Sequence, residues 1–202
     1  MNDEYRTLAA SSEETLFKDR GSKFFGYAFP VQSEEEVKLQ IDELRAQHSN
    51  ARHFCYAFQL GVERISYRAN DDGEPNNSAG MPIYGQIQSF NITNVLVVSV
   101  RYFGGTKLGV GGLINAYRNS AKLAIEASQI IVKTINVRFR ISFPYHLMNK
   151  VMRIIKEQNI QIVNQNLELN CTYIIAIRKK ESEKIHQIFA GIYGLSILKL
   201  DV

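Results

Sequence analysis

Strict alternation marks the last third of the chain. In VRFRISF, residues 137–143, Val137, Phe139, Ile141 and Phe143 fall on one side and Arg138, Arg140 and Ser142 on the other. That is the period of a strand with one buried face, and Pro144 ends it. Leu147, Val151, Ile154 and Ile155 then recur at helical spacing. Two strand-like runs follow, IQIV and CTYIIAI, with NQN at 164–166 as a turn or bulge signal between them. Ser182 is placed to cap a second helix carrying Ile185, Ile188, Phe189 and Ile192, and Gly194 to end it. In the closing run LSILKLDV, Leu198, Leu200 and Val202 share one face of a last strand. The predicted order is βαββαβ, the split pattern of a ferredoxin-like sandwich.

The earlier part has a different rhythm. LFKDRGSKFFGYAFPV reads as two strands around Gly21, and Ser33 with Glu36 forms a capping box. Val37, Ile41 and Leu44 give the helix that follows an apolar stripe. HFCYAFQLG and RISYR predict a hairpin. NVLVVSV is apolar almost throughout, as in a strand covered on both sides. Leu113, Tyr117, Ala121 and Ala124 line a final amphipathic helix. The class is α+β in two modules, 1–134 and 135–202, with the boundary near Lys133 and Thr134. No internal repeat or low-complexity tract interrupts them.

Composition narrows the setting. The chain has 202 residues, 45% of them hydrophobic and 22% charged, as in ordinary soluble domains. No apolar run is long enough to span a membrane, so no membrane partner is expected. The first residues, MNDEYRTLAA, lack the layout of a secretory signal. Two cysteines, Cys55 and Cys171, stand far apart and outside any C-x-x-C, which fits a reduced, cytoplasmic protein without a structural metal. Net charge is +4 and uneven: residues 135–202 carry ten Lys/Arg against five Asp/Glu, and the rest is nearly balanced.

Candidate chemistry gathers in two stretches. RYFGGTKLGVGG, residues 101–112, holds five glycines between the apolar strand and the last helix of the first module. A helix start offers unpaired N–H groups and the positive end of its dipole, and glycine lets a ligand approach them. Gly104, Gly105, Thr106, Gly109, Gly111 and Gly112 are candidate anion-binding positions, with Arg101, Lys107 and Arg118 supplying charge. The loop is no nucleotide fingerprint. Val110 stands where a Walker lysine belongs, and Ile114 where a third dinucleotide-loop glycine belongs. A tight strand-to-helix connection is the competing explanation.

The second stretch, NDDGEPNNSAG at 70–80, crowds Asp71, Asp72 and Glu74 together. These carboxylates could hold a divalent metal, act in acid–base chemistry, or pair with Arg101 and Lys107 and bond turn amides to fix the loop. His53 and Cys55 fit a core strand better than a catalytic centre, and Ser78 lacks a nucleophile-elbow setting. Tyr102 and Phe103 could stack on a base, but packing is their commoner use. No catalytic residue, metal or cofactor is assigned.

DDGEP, then AG-x-P, then RYFGGTKLGVGGL-x-x-AY, resemble the IMPACT/YigZ family, bacterial two-domain type. The resemblance starts near RGSKFFGYAFPV, runs through HFCYAF, and covers about two-thirds of the chain. It implies an N-terminal module like elongation factor G domain IV, a fold shared with a small-subunit ribosomal protein (domain-2-like), and a ferredoxin-like C-terminal module. Eukaryotic members regulate translation through an extra N-terminal domain without a counterpart in this sequence, so their kinase-linked role is not carried over. The family usually reads DDGEPSGTAGRP; here Asn76, Asn77, Ser78 and Met81 depart from it. The favoured expectation is nucleic-acid binding, to RNA or the ribosome, in translation regulation. The alternatives are a small enzyme acting on a phosphorylated metabolite or nucleotide with magnesium, and a protein-interaction module using the outer face of the C-terminal sheet. No oligomeric state is assigned.

Overall fold

The computed structural model describes residues 3–200. The first elements are β1 (Glu4–Leu8), β2 (Thr15–Asp19), β3 (Ser22–Pro30), α1 (Glu34–Gln47), β4 (His53–Leu60) and β5 (Ser66–Asn70). Next come α2 (Gly80–Ser89), β6 (Val95–Tyr102), α3 (Gly109–Glu126), β7 (Ile130–Thr134) and β8 (Asn136–Pro144). The chain closes with α4 (Met148–Glu157), β9 (Gln161–Asn166), β10 (Asn170–Arg178), α5 (Ser182–Ala190) and β11 (Ser196–Leu200). Helices and strands are thus mixed, with three sheets. The described residues divide into two units, Tyr5–Lys133 and 134–200 with Asp3 and Glu4. No helix among them is long and apolar enough to cross a membrane.

In the first unit β6 is the middle strand of a five-stranded antiparallel sheet ordered β2-β3-β6-β4-β5. Its side chains alternate between two cores, which is why its sequence shows no polar alternation. Leu96, Val98 and Val100 join Tyr27, Phe54 and Phe58 under Val37, Ile41 and Leu44 of α1. Val95 and Val97 join Phe24, Ala28, Cys55 and Ala57 under Ile83 and Ile87 of α2 and Leu113, Tyr117 and Ala121 of α3. The Ser33 hydroxyl accepts from the Glu36 N–H at 3.3 Å and caps α1, while the Glu36 carboxylate accepts from the Gln32 N–H at 2.8 Å, one residue before the cap.

Helix α2 was not anticipated. Its sequence, GMPIYGQIQS, opens with Gly80 and Pro82, residues that read as loop. Pro82 lies in the first turn, where the helix has no N–H bond to lose. The pairing of β1 with β7 was also not anticipated, because both strands are short and 120 or so residues apart.

The second unit is an antiparallel sheet ordered β11-β8-β10-β9. Phe139, Ile141, Phe143, Cys171, Tyr173, Ile175 and Ile177 form a core with Val151 and Ile155 of α4 and Ile185 and Phe189 of α5. NQN lies inside β9, and the register against β10 shifts beside Asn164, so of the two readings of that signal the bulge holds and the turn does not. Three details differ from the sequence expectation. The Ser182 hydroxyl donates to the Lys179 carbonyl at 2.7 Å and caps no N–H of α5. Helix α5 ends at Ala190, and Gly194 (φ 85°) shapes the following turn. On β11 it is Ile197, opposite Ile141, that meets the core; Leu198, opposite Arg140, is 59% exposed. Val202 lies outside the described residues.

Candidate anion-binding site

Residues 103–108 join β6 to α3, and their glycines answer to different demands. A Cβ on Gly104 would lie 1.9 Å from the Gly21 carbonyl carbon and 2.1 Å from the Ser22 nitrogen, at the tip of the β2–β3 hairpin. The Gly104 N–H donates to the Ser22 hydroxyl at 3.1 Å. Gly104 is therefore demanded by internal contact. Gly105 (φ 87°) and Gly109 (φ 73°) take left-handed backbone, and a Cβ on either would meet nothing within 4 Å. A Cβ on Gly112 would press Leu108 at 3.0 Å. Gly111 has neither a positive φ nor any neighbour within 4 Å, so nothing inside the protein requires glycine there. Helix α3 has no side-chain cap and no acidic residue in its first turn. Its opening amides lie in an exposed stretch, 103–107 and 109–111, of bare backbone.

The charges do not converge as the sequence suggested. Arg101 is buried and turned inward: its Nη1 donates to Glu74 Oε1 at 2.6 Å, and both side chains are at most 7% exposed. The Tyr117 hydroxyl donates to the same oxygen at 2.7 Å. The guanidinium lies 5.5 Å from the Phe24 ring centroid and 5.6 Å from that of Phe103, and its Nε has no hydrogen-bond partner. Arg101 thus anchors the base of the turn to the acidic loop. Lys107 is exposed and has no ion pair or hydrogen bond among the described residues. Arg118 is exposed on α3 seven residues after Gly111, on the same helix face and about 10 Å further along it.

The acidic loop is a latch. Asp71 Oδ1 accepts from the N–H groups of Ala79 (2.9 Å) and Gly80 (2.8 Å), and Oδ2 from that of Asn77 (2.8 Å), so it caps α2 from nine residues away. Asp72 Oδ2 accepts from the Phe54 N–H at 2.7 Å, and Oδ1 pairs with Arg45 at 3.0 Å. His53 Nδ1 donates to the Asp72 carbonyl at 2.9 Å, and Cys55 Sγ to that of Asp71 at 3.0 Å. All three carboxylates already have protein donors, and no group of three or more metal-ligating side chains occurs among the described residues. Of the three sequence alternatives, the geometry matches pairing with Arg101 and bonding of turn amides; Lys107 takes no part. Burial pushes the Cys55 thiol and the Tyr117 phenol well above their usual ranges, so neither is a ready nucleophile.

The departures from the family pattern become intelligible here. Asn77 takes φ 59°, a left-handed conformation that asparagine tolerates in place of glycine. Ser78 is buried and donates to the Pro75 carbonyl at 2.6 Å. Met81 is 41% exposed, so the arginine that the resemblance implies at this position would stand at the surface.

Several exposed residues escaped the sequence reading. Lys23 is the register partner of Tyr102, and Arg52 precedes His53, the partner of Arg101; both are exposed. Arg20 (φ 44°) is exposed at the hairpin tip that touches Gly104. With Lys107 and the 59% exposed Phe103, they are exposed basic and aromatic positions at this end of the sheet. RGSK at 20–23 was the available signal, but its approach to residue 104 depends on the β3–β6 register.

His48 supports the same end from behind. Its Nε2 is 2.5 Å from the Tyr27 hydroxyl and its Nδ1 3.0 Å from the Tyr102 hydroxyl, while Tyr27 donates to Glu14. Since the Tyr27 proton goes to Glu14, Nε2 is the donating nitrogen and Nδ1 accepts from Tyr102. Burial lowers the His48 pKa, opposed by the nearby Glu14 carboxylate.

The chain is similar to several known proteins. The family model described as the Impact N-terminal domain matches residues 20–125. An IMPACT family member from Haemophilus influenzae is 29% identical over 164 residues, 80% of either chain. The IMPACT family member YvyE of Bacillus subtilis is 28% identical over 178 residues, 88% of this chain and 82% of its own. A solved structure described as that of a hypothetical protein covers 100% of this chain and 99% of its own, with TM-score 0.74 and 23% identity, a likeness of fold.

Proposed function

The chain belongs to the IMPACT family, and from that premise we propose that it is a cytoplasmic RNA- or ribosome-associated protein acting in regulation of translation. In this reading the first unit is like elongation factor G domain IV, the second is ferredoxin-like, and the boundary falls at residues 134–135. The observation that carries the proposal is Gly111: a helical glycine with no internal reason, in the first turn of an uncapped helix. Glycine there costs the helix about 0.5–1 kcal/mol relative to alanine. A close approach from outside is the compensating use. Phosphate oxygens would meet the first-turn amides of α3, with Lys107, Arg20, Lys23, Arg52 and Arg118 neutralising the strand and Phe103 stacking on a base. Arg101, Asp71, Asp72 and Glu74 hold the surface in shape.

The test is binding of a labelled single-stranded RNA of about 16 nucleotides, titrated across salt. Affinity should fall steeply between about 50 and 200 mM salt. Lys107→Glu should weaken binding and lower the salt slope by about 1. Gly111→Ala should raise the melting temperature while weakening RNA binding. Affinity indifferent to salt and to both substitutions would remove the proposal.

A further inference from the structure

The second unit has one sheet face that neither of its own helices covers. Both α4 and α5 pack on the side of Phe139, Ile141 and Phe143. The opposite side of β8 carries Arg138 and Arg140, both exposed. The register places Arg140 between Leu198 of β11 and Ile174 of β10, and Arg138 between Leu200 and Ala176. Leu198 is 59% exposed; Ile174, Ala176 and Leu200 are half-buried. Neither arginine forms an ion pair or side-chain hydrogen bond among the described residues. Arg178, at the end of the same face, shows the contrast, since it is paired with Asp3 and Glu4.

We propose that this face, with Arg138 and Arg140 on its central strand between two aliphatic rows, docks an acidic amphipathic helix of a protein partner. The charge asks for carboxylates. None of the outward positions on β8, β10 and β11, nor Asn164 and Asn166 of β9, supplies one. Alternate residues on a strand are about 6.6 Å apart, which suits acidic side chains one helical turn apart, about 6 Å. The aliphatic rows distinguish a protein from RNA. A nucleic acid would use the arginines but leave Leu198, Leu200 and Ile174 without apolar contact, and the face has no aromatic ring to stack a base. The leucines of an amphipathic helix would cover those rows while its glutamates reach the arginines. This site is separate from the RNA surface proposed above and stands without it.

The test is selection from a displayed library of random peptides, about 16 residues long, on the intact chain. Enriched peptides should carry Asp or Glu and Leu or Ile on one helical face. A selected peptide should shift the amide resonances of β8, β10 and β11, and Arg138→Glu with Arg140→Glu should weaken it at least about tenfold, as should Leu198→Asp. All three residues face outward, so the variants should keep the parent circular dichroism. Absence of enrichment, enrichment without acidic bias, binding indifferent to charge reversal, or displacement of the peptide by the labelled RNA would each overturn the proposal.

Discussion

Arg101 on β6 and Glu74 in the loop between β5 and α2 lie 27 positions apart in sequence, and only the fold makes them an ion pair. Arg101 read as a functional charge from sequence, and for Glu74 pairing with Arg101 was one reading among three, because burial is decided by neighbours that are remote in the chain. Removing one partner of such a pair strands the other in a poor solvent. Glu74→Leu should therefore destabilise the first unit by about 3–5 kcal/mol, read from the urea midpoint. Loss of the Tyr117 hydroxyl's acceptor adds to the effect. The double variant Glu74→Leu with Arg101→Met should recover most of that loss, since apolar side chains then fill a site that is already dry. It should also keep RNA affinity near the parent value, because Lys107 and the other exposed basic residues remain. A single variant as stable as the parent would show that the pair holds nothing. Gly104 and Gly111 give the same lesson: identical in sequence, one is fixed by Gly21 and the other by nothing internal.

At the scale of elements, legibility followed periodicity. Strands β4, β6, β8 and β10 and helices α1 and α3 have unbroken apolar patterns and were readable from them. Helix α2 was not, because glycine and proline at its start are loop signals until Asp71 supplies the cap. Strand β11 alternates in two frames, Leu195 and Ile197 or Leu198 and Leu200, and its register against β8 chooses the first. His48 was missed because it follows the apolar stripe of α1 and belongs to no predicted strand, yet it ties that helix to β3 and β6. Glu14, Tyr27 and Tyr102 are the polar groups that face it. Its folded pKa is lowered, so its contribution to stability is complete above the ordinary histidine pKa of 6.5 and is lost as pH falls. The melting temperature should drop between about pH 7 and pH 5.5. His48→Gln keeps a donor and an acceptor without a titrating proton, and should flatten the drop in that window. An equally steep profile in the variant would assign the pH dependence to other groups.

At the scale of the whole molecule, each buried hydrophobic cluster among the described residues is made of residues of a single unit. Two clusters belong to residues of the first unit and one to residues of the second. A unit of about 73 residues buries a smaller fraction of its surface than one of about 130, so the second has less stability to lose. Phe189, at the centre of its core and fully buried, is the sensitive position. Phe189→Ala should cost about 3–5 kcal/mol, a large part of what a domain this size has. Ile83→Ala, at an equally buried position on the inner face of α2, should cost about 2–5 kcal/mol in the first unit. Because the cores share no side chain, the two losses should appear in different places. Hydrogen exchange of the intact Phe189→Ala variant should accelerate in β8 and β10 while β6 keeps its protection. Ile83→Ala should give the reverse. Acceleration of β6 by Phe189→Ala as strong as that of β8 would mean the units unfold as one cooperative body, and would overturn the prediction that each core stands by itself.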